Sequence, residues 1–327
     1  MKRIAIIGAG MAGLTLANEL KAFADVQVYE KSRDYGGRMA TRCRNNYQFD
    51  HGAQFFIAKT PAFKEFLKPF IQKNLVARWD ARFVELTGND VTYRWTWTDE
   101  VPHYAAAPSM NSLGEAMAKD LPVQLETHIN EIKKNGQQWQ LIDIEGKVLG
   151  SYEWVILAIP AKQVIELVPD ECKFNKDVAE KNMSACYSLM LGFKEALPLE
   201  WDAALVKETN ISWVCNNHSK PGRASHYSLL IHSTNQWAEE NIELDNEAVT
   251  KFLIQETSAV IEQDVSVAEH IDMHRWRYAN IQKQYGDRSF IDNSNRLAAI
   301  GDWCIKGRVE SAFLSGLDGA TKLKQLL

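Results

Sequence analysis

Arg3-Ile4-Ala5-Ile6-Ile7-Gly8-Ala9-Gly10-Met11-Ala12-Gly13 is the stretch on which the fold turns. Its first five residues have the length and apolar character of a buried parallel strand, stopped at Gly8. Residues 12–23 then carry helical periodicity, with Leu14, Leu16, Ala17 and Leu20 apolar, and residues 26–29 form a second strand that closes with Glu30. The result is a strand–helix–strand unit of about thirty residues, whose parallel strands predict helices on the sheet faces. Gly8 permits a tight turn, Gly10 lets the backbone approach a pyrophosphate, and Gly13 allows the helix to pack closely on the strand. The phosphates would sit at a helix N-terminus, where N–H groups and the macrodipole favour negative charge. Glu30, seventeen positions after Gly13, can accept hydrogen bonds from a ribose diol. In this context the glycines read as a dinucleotide site, without separating FAD from NAD.

The next residues make that separation. Glu30 is followed by Lys31-Ser32-Arg33-Asp34-Tyr35-Gly36-Gly37-Arg38. Two glycines let backbone pass close to a cofactor, and Arg38 offers a fixed fork to phosphate or flavin oxygens; the other reading is a basic loop that pairs with surface acids. The spacing resembles the second FAD fingerprint of the amine-oxidase flavoprotein superfamily. Asp50-His51-Gly52-Ala53-Gln54-Phe55-Phe56 resembles the segment such flavoproteins lay beside the isoalloxazine ring. Gly52 and Ala53 would let backbone reach the ring, and Phe55 and Phe56 would wall a pocket. Asp50 and His51 read either as a catalytic pair or as residues holding the loop by local hydrogen bonds. At the far end an apolar run, 297–300, meets Gly301-Asp302-Trp303-Cys304, followed by Gly307-Arg308-Val309-Glu310-Ser311-Ala312. The Gly-Asp pair resembles the superfamily's third motif, which implies that Asp302 contacts the ribityl chain. The N–H groups of Val309 and Glu310, if they open a helix, would face the pyrimidine end of the flavin and stabilise negative charge on its reduced form.

Composition is that of an ordinary globular chain: 327 residues, 46% hydrophobic and 24% charged, enough for two interleaved cores. A formal charge of −5 with no long Lys or Arg run argues against a nucleic-acid groove. Cys43, Cys172, Cys186, Cys215 and Cys304 are odd in number, widely spaced and without a CxxC pair. They argue against a disulfide framework or a zinc cluster, favour a reducing compartment, and read as small buried hydrophobes. Lys2, Arg3 and the apolar stretch to Ala17 are similar to a short signal peptide. Three glycines break that stretch, however, and it falls short of the roughly 20 residues of a membrane span. A cytoplasmic protein with no targeting segment and no membrane association is expected.

Along the chain, helices are predicted over 62–71, 109–121, 246–262 and 316–327, and strands over 93–97, 189–193, 212–215, 227–232 and 297–300. Residues 123–149 read as short strands turning at Asn135-Gly136 and Glu145-Gly146. The apolar strand 154–159 is placed back in the first sheet. The expected fold is α/β: a Rossmann-type FAD-binding domain from 1–60, 122–164 and 291–327, interleaved with an α+β substrate domain from 61–121 and 165–290.

Taken together, the motifs resemble bacterial renalase-like proteins over essentially the full length. The carriers are Gly36-Gly37-Arg38-Met39, Gly52 to Phe56, Gly301 to Cys304, Gly307 to Glu310, Leu314-Ser315-Gly316, and the narrower segment Leu230-Ile231-His232-Ser233-Thr234-Asn235-Gln236-Trp237. Ser311 departs from the glycine expected in close relatives. The resemblance implies a p-hydroxybenzoate hydroxylase/amine oxidase-like architecture with noncovalent FAD. It carries over as cofactor contacts Gly8, Gly10, Ala12, Gly13, Glu30, Lys31, Gly37, Arg38, Gly52, Ala53, Gln54, Phe55, Ile129, Gly301, Asp302, Arg308, Val309 and Glu310. It implies an oxidase of misreduced nicotinamides, the 2- and 6-dihydro isomers of NAD(P), with hydride passing to flavin N5 and dioxygen leaving as hydrogen peroxide. His232 would contact the substrate, with Gln54 and Phe56 beside the reacting ring; Tyr93, Trp95 and Trp213 are further pocket candidates. Amine oxidation, a non-catalytic flavin or nucleotide sensor, and an ordinary NAD dehydrogenase are the competing readings, the last opposed by Gly-Gly-Arg after Glu30.

Overall fold

Ile4, Ala5 and Ile6 are fully buried, so the strand Arg3–Ile7 has no face left for water and reads as an apolar run rather than an alternation. It lies near the middle of a six-stranded sheet ordered Val123–Gln124, Asp25–Tyr29, Arg3–Ile7, Trp154–Leu157, Leu297–Ala299, Phe290–Asp292. The first five are parallel and the last is antiparallel. The returning strand Trp154–Leu157 therefore does rejoin the first sheet. The computed structural model describes residues 1–223 and 226–327. Two units form: Met1–Met39 with Asn111–Met183 and Asn280–Leu327, and Ala40–Met110 with Ser184–Ala279. Relative to the ranges expected from sequence, residues 40–60 lie in the second unit, and 111–121, 165–183 and 280–290 in the first.

Within the first unit, the helix Met11–Leu20 packs against the helix Val309–Lys324. Gly316 meets the Ala12 carbonyl, Gly319 meets Leu16, and the Lys324 ammonium pairs with Glu19, so the two helices run parallel. The sheet's other face departs from the expectation of helices on both sides. Ala5, Ile7, Tyr29, Val155 and Leu157 pack there with Ile132, Trp139, Leu141 and Tyr152. Those residues come from an antiparallel sheet of Ile129–Asn135, Gln138–Asp143 and Val148–Tyr152, helped by the short helix Ala161–Leu167. The final helix opens at Val309, seven residues before the sequence-based start, because Gly316 and Gly319 serve helix contact rather than helix termination.

The second unit is built on a seven-stranded sheet ordered His270–Asn280, Ser184–Gly192, Ser228–Ser233, Ile211–Asn216, Ala203–Lys207, Arg82–Thr87, Asp90–Thr96. One face packs Leu189, Leu191, Leu229 and Ile231 against Trp237, Val249 and Leu253 of the helices Asn235–Glu240 and Asn246–Ile261. The other face buries Tyr47, Phe49, Trp79, Met190, Trp213 and Cys215. Among the described residues no helix is long and apolar enough to cross a membrane. All five cysteines are unpaired, and Cys43 is exposed, which corrects the reading of all five as buried; it lies in the short hairpin strand Arg42–Arg44.

Candidate functional site

In the first unit the strand Arg3–Ile7 hands the chain to Gly8, whose N–H donates to the Tyr29 carbonyl at 2.7 Å. A side chain at Gly8 or Gly13 would collide with backbone, the first with Ala158 and the second with Gly8 itself. Gly10 differs, since a Cβ there would meet nothing within 4 Å. Gly10 is the N-cap of Met11–Leu20 and supplies no side-chain cap, so no cap side chain meets the first N–H groups of that helix. Glu30 is 7% exposed and receives the Ala9 N–H at 2.8 Å and the Ser32 N–H and hydroxyl at 2.9 Å each. A carboxylate has room for further donors.

The next turn comes back onto this one. Gly36 donates its N–H to the Ala9 carbonyl at 2.9 Å and bridges to Gly10. Arg38 then forms a bidentate pair with Asp302, one of its two bonds at 2.9 Å, and Asp302 is 5% exposed at its side chain against 30% for Arg38. Gly301 is fixed by its N–H on Ser315 Oγ at 2.9 Å, and Trp303 by its indole N–H on the Ile159 carbonyl at 2.9 Å. Glu30, Gly10, Gly36, Arg38 and Asp302, drawn from opposite ends of the chain, are thus joined by an unbroken series of contacts. The helix Val309–Lys324 begins without a side-chain cap, and Arg308, its N-cap residue, is exposed. The open cradle at Gly10 and the acidic groups beyond it fit a dinucleotide. Lys31 is exposed, and Ile129 is 4% exposed within the core beneath the antiparallel sheet. Burial pushes the Cys304 thiol up to about 12.

The Gly52–Phe56 segment and His232 lie in the second unit, where a buried cluster joins them. Asp50 is wholly buried and takes hydrogen bonds from Thr41 Oγ1 at 2.6 Å, Arg223 at 2.7 Å and Lys220 at 3.1 Å. Burial alone would raise its carboxyl; the two cations outweigh that and hold it below the usual range. The Gln54 amide nitrogen faces the Asp50 carbonyl at 2.5 Å, the Gly52 carbonyl at 2.8 Å and His232 Nε2 at 3.5 Å. Its oxygen receives Lys220 Nζ at 2.9 Å and the Cys215 thiol at 3.1 Å. Burial and the Lys220 ammonium push His232 down to about 4, so it is a neutral imidazole at pH 7. His51 stacks on Trp276 at 5.3 Å, and burial with the neighbouring His274 pushes it down to about 3. Its carbonyl accepts from Ser188 and from the Trp276 indole, both at 2.7 Å. Asp50 and His51 therefore hold the loop rather than each other.

Phe55 packs with Trp97 at 4.8 Å and Trp213 at 5.7 Å, whereas Phe56 turns the other way, onto Phe63 and Tyr104. Tyr93 and Trp95 are 45% and 48% exposed on the edge strand Asp90–Thr96. Lys220 and Arg223 went unread in the sequence. They sit in Lys220-Pro221-Gly222-Arg223, a turn whose Pro-Gly pair suggests surface, and their carboxylate lies 170 and 173 positions earlier.

Comparison with known proteins bears on the family and the fold. The family model for NAD(P)-binding Rossmann-like domains matches residues 6–70, and that for flavin containing amine oxidoreductases matches residues 96–323. Mouse renalase (Mus musculus) is 21% identical over 88% of each chain. A solved structure from an Exiguobacterium species, provisionally described as a protoporphyrinogen oxidase, superposes with a TM-score of 0.78 at 13% identity, covering 99% of both chains. Putrescine oxidase with putrescine bound gives 0.69 at 12% identity and 98% coverage of both. These two share the fold.

Proposed function

The chain belongs to the flavin containing amine oxidoreductase family, and from that premise we propose that it is an FAD-dependent oxidase of misreduced dihydronicotinamide dinucleotides. The 2- and 6-dihydro isomers of NAD(P), one proton and dioxygen would become NAD(P)+ and hydrogen peroxide. FAD, when bound, supplies the hydride acceptor. The chain supplies position and charge: N–H groups at Gly10 and the helix behind it for the pyrophosphate, Glu30 for the ribose, and Asp302, braced by Arg38, for the ribityl chain. Val309 and Glu310 at a helix start would favour negative charge on the reduced ring. Cys304 stays a protonated, buried thiol, which supports noncovalent attachment. Unpaired cysteines throughout support a cytoplasmic setting.

The observation that carries the substrate reading is the charge behind Gln54 and His232. One carboxylate there faces two buried cations, and the imidazole beside them is neutral. An ammonium substrate would be repelled by that excess positive charge, whereas a dihydropyridine is neutral and its dinucleotide is anionic. Losing hydride restores an aromatic ring, so orientation matters more than a strong base. The similarity to renalase points the same way; the family's name keeps amine oxidation as the rival. Anaerobic mixing of the purified protein with 2-, 4- and 6-dihydro-NAD(P) and with primary and secondary amines decides between them. Bleaching of the visible flavin band by the 2- or 6-dihydro isomers is expected. Fast bleaching by amines alone would overturn the reading, and a colourless protein would remove the flavin altogether.

A further inference from the structure

Lys220 lies in the connection between the strands Ile211–Asn216 and Ser228–Ser233, yet its side chain has no exposed surface. Its ammonium touches Asp50 Oδ2, Gln54 Oε1 and Asn217 Oδ1 at 3.1, 2.9 and 3.0 Å, and sits 5.3 Å from the centre of the Trp79 ring. A buried ammonium is expensive, and Asp50 already has a counter-ion in Arg223 at 2.7 Å. Methionine in place of Lys220 would leave a neutral, paired Asp50–Arg223 couple, so ion pairing alone gives no reason for the lysine.

Gln54 gives one. A primary amide has one end that only accepts and one that only donates. The cation and the Cys215 thiol meet the accepting end, which leaves the donating end facing two loop carbonyls and His232 Nε2. Two N–H bonds cannot satisfy three acceptors, and His232 Nε2, the most distant at 3.5 Å, receives the weakest share. Set 3.5 Å from the donating end of an amide, Nε2 is assigned as the unprotonated nitrogen, with the ring proton on Nδ1. The other groups around the ring do not reverse this: Ser188 and Trp213 stand opposite it on the flanking strands, and the nearby backbone of His51 favours a proton on the ring without outweighing burial and Lys220.

We propose that Lys220 is a positioning residue that fixes the Gln54 amide, and through it holds His232 as a neutral ring offering a partly satisfied Nε2 to a substrate N–H donor such as a primary carboxamide. Only the substrate clause rests on the function proposed above; the orientation of Gln54 and His232 stands on its own contacts.

The test uses the flavin-loaded enzyme with Lys220→Met and Lys220→Arg, reading the His232 ring by 15N NMR alongside KM and kcat for 6-dihydro-NAD. Lys220→Met is expected to fold, to raise the proton affinity of His232 by about tenfold, to mix its tautomers, and to raise KM by about tenfold with a smaller change in kcat. Lys220→Arg should restore the tautomer. A folded Lys220→Met protein with an unchanged tautomer and proton affinity at His232 overturns the proposal. Should that variant fail to fold, the wild-type enzyme decides: the Gln54 amide protons should exchange with solvent about a hundredfold slower than those of free glutamine, and free exchange would overturn it. A shift at His232 in an enzyme that oxidises amines instead would sink the substrate reading and leave the positioning role intact.

Discussion

Gly10 and Gly13 lie three positions apart, and a methyl group would do opposite things at each. At Gly13 it would strike the Gly8 carbonyl, so Gly13→Ala must push the helix Met11–Leu20 off the strand Arg3–Ile7, at a cost of about 1–3 kcal/mol or more. At Gly10 the backbone is extended, with φ −79° and ψ 179°, and a Cβ has open space. Gly10→Ala should therefore leave the cofactor-free protein as stable as before, or more stable by about 0.4–1 kcal/mol. The same methyl would occupy the cradle proposed for the pyrophosphate. We expect flavin content after purification to fall by about tenfold or more, read from the ratio of visible to ultraviolet absorbance, with an unchanged or raised melting point of the apoprotein. Full flavin content in Gly10→Ala would remove that role. Glycines such as these were legible in the sequence because their partners lie within one strand–helix–strand unit. Lys220 was not, because nothing near it in the chain announces the distant Asp50 that makes its burial possible.

Elements were legible to the degree that one apolar pattern matched one packing surface. The strands Arg3–Ile7 and Trp154–Leu157 are buried on both faces and read as runs. The eleven-residue strand His270–Asn280 was missed, because its residues are mostly half-buried and polar, HIDMHRWRYAN, and follow neither period. That strand carries His274, while His51 lies on the loop before Gly52 and His232 on the strand Ser228–Ser233. Burial is the first cause in all three of a depressed proton affinity, to about 3 for His51 and about 4 for His232 and His274. An unfolded histidine protonates near pH 6.5. Between that value and about pH 4 the unfolded chain thus binds protons that the folded chain refuses, and stability falls as pH falls. Each histidine contributes up to about 1.4 kcal/mol per pH unit in that window. Chemical denaturation at intervals from pH 7.5 to 4.5 should show little slope above pH 7 and a steep loss below pH 6. Replacing His274 by Phe should flatten the slope by about one proton's worth; an unchanged slope would show that His274 titrates normally in the fold.

At the scale of the whole molecule, sequence order and spatial order part company. The first unit takes three separate segments of the chain, and residues 40–60, neighbours of the glycine turn in sequence, belong to the second. Their allegiance is set by the hairpin Arg42–Arg44 with Tyr47–Phe49 and by Asp50 on Lys220 and Arg223, none of which a local pattern displays. Apart from Ile129, the proposed FAD contacts within the first unit come from its first and last segments, tied together directly by Arg38 and Asp302. A ligand that engages both segments binds the folded unit and not the unfolded chain, so its removal must lower stability by mass action. Stripping the flavin should therefore lower the melting point, and adding FAD at about a hundred times its dissociation constant should restore about 2.7 kcal/mol, a shift of roughly 5–10 °C. FMN, which lacks the adenosine half that Glu30 and Gly10 are proposed to hold, should restore much less, and NAD+ little. Equal recovery with FMN and FAD would mean that the glycine turn and Glu30 do not bind the cofactor, whatever the flavin does elsewhere.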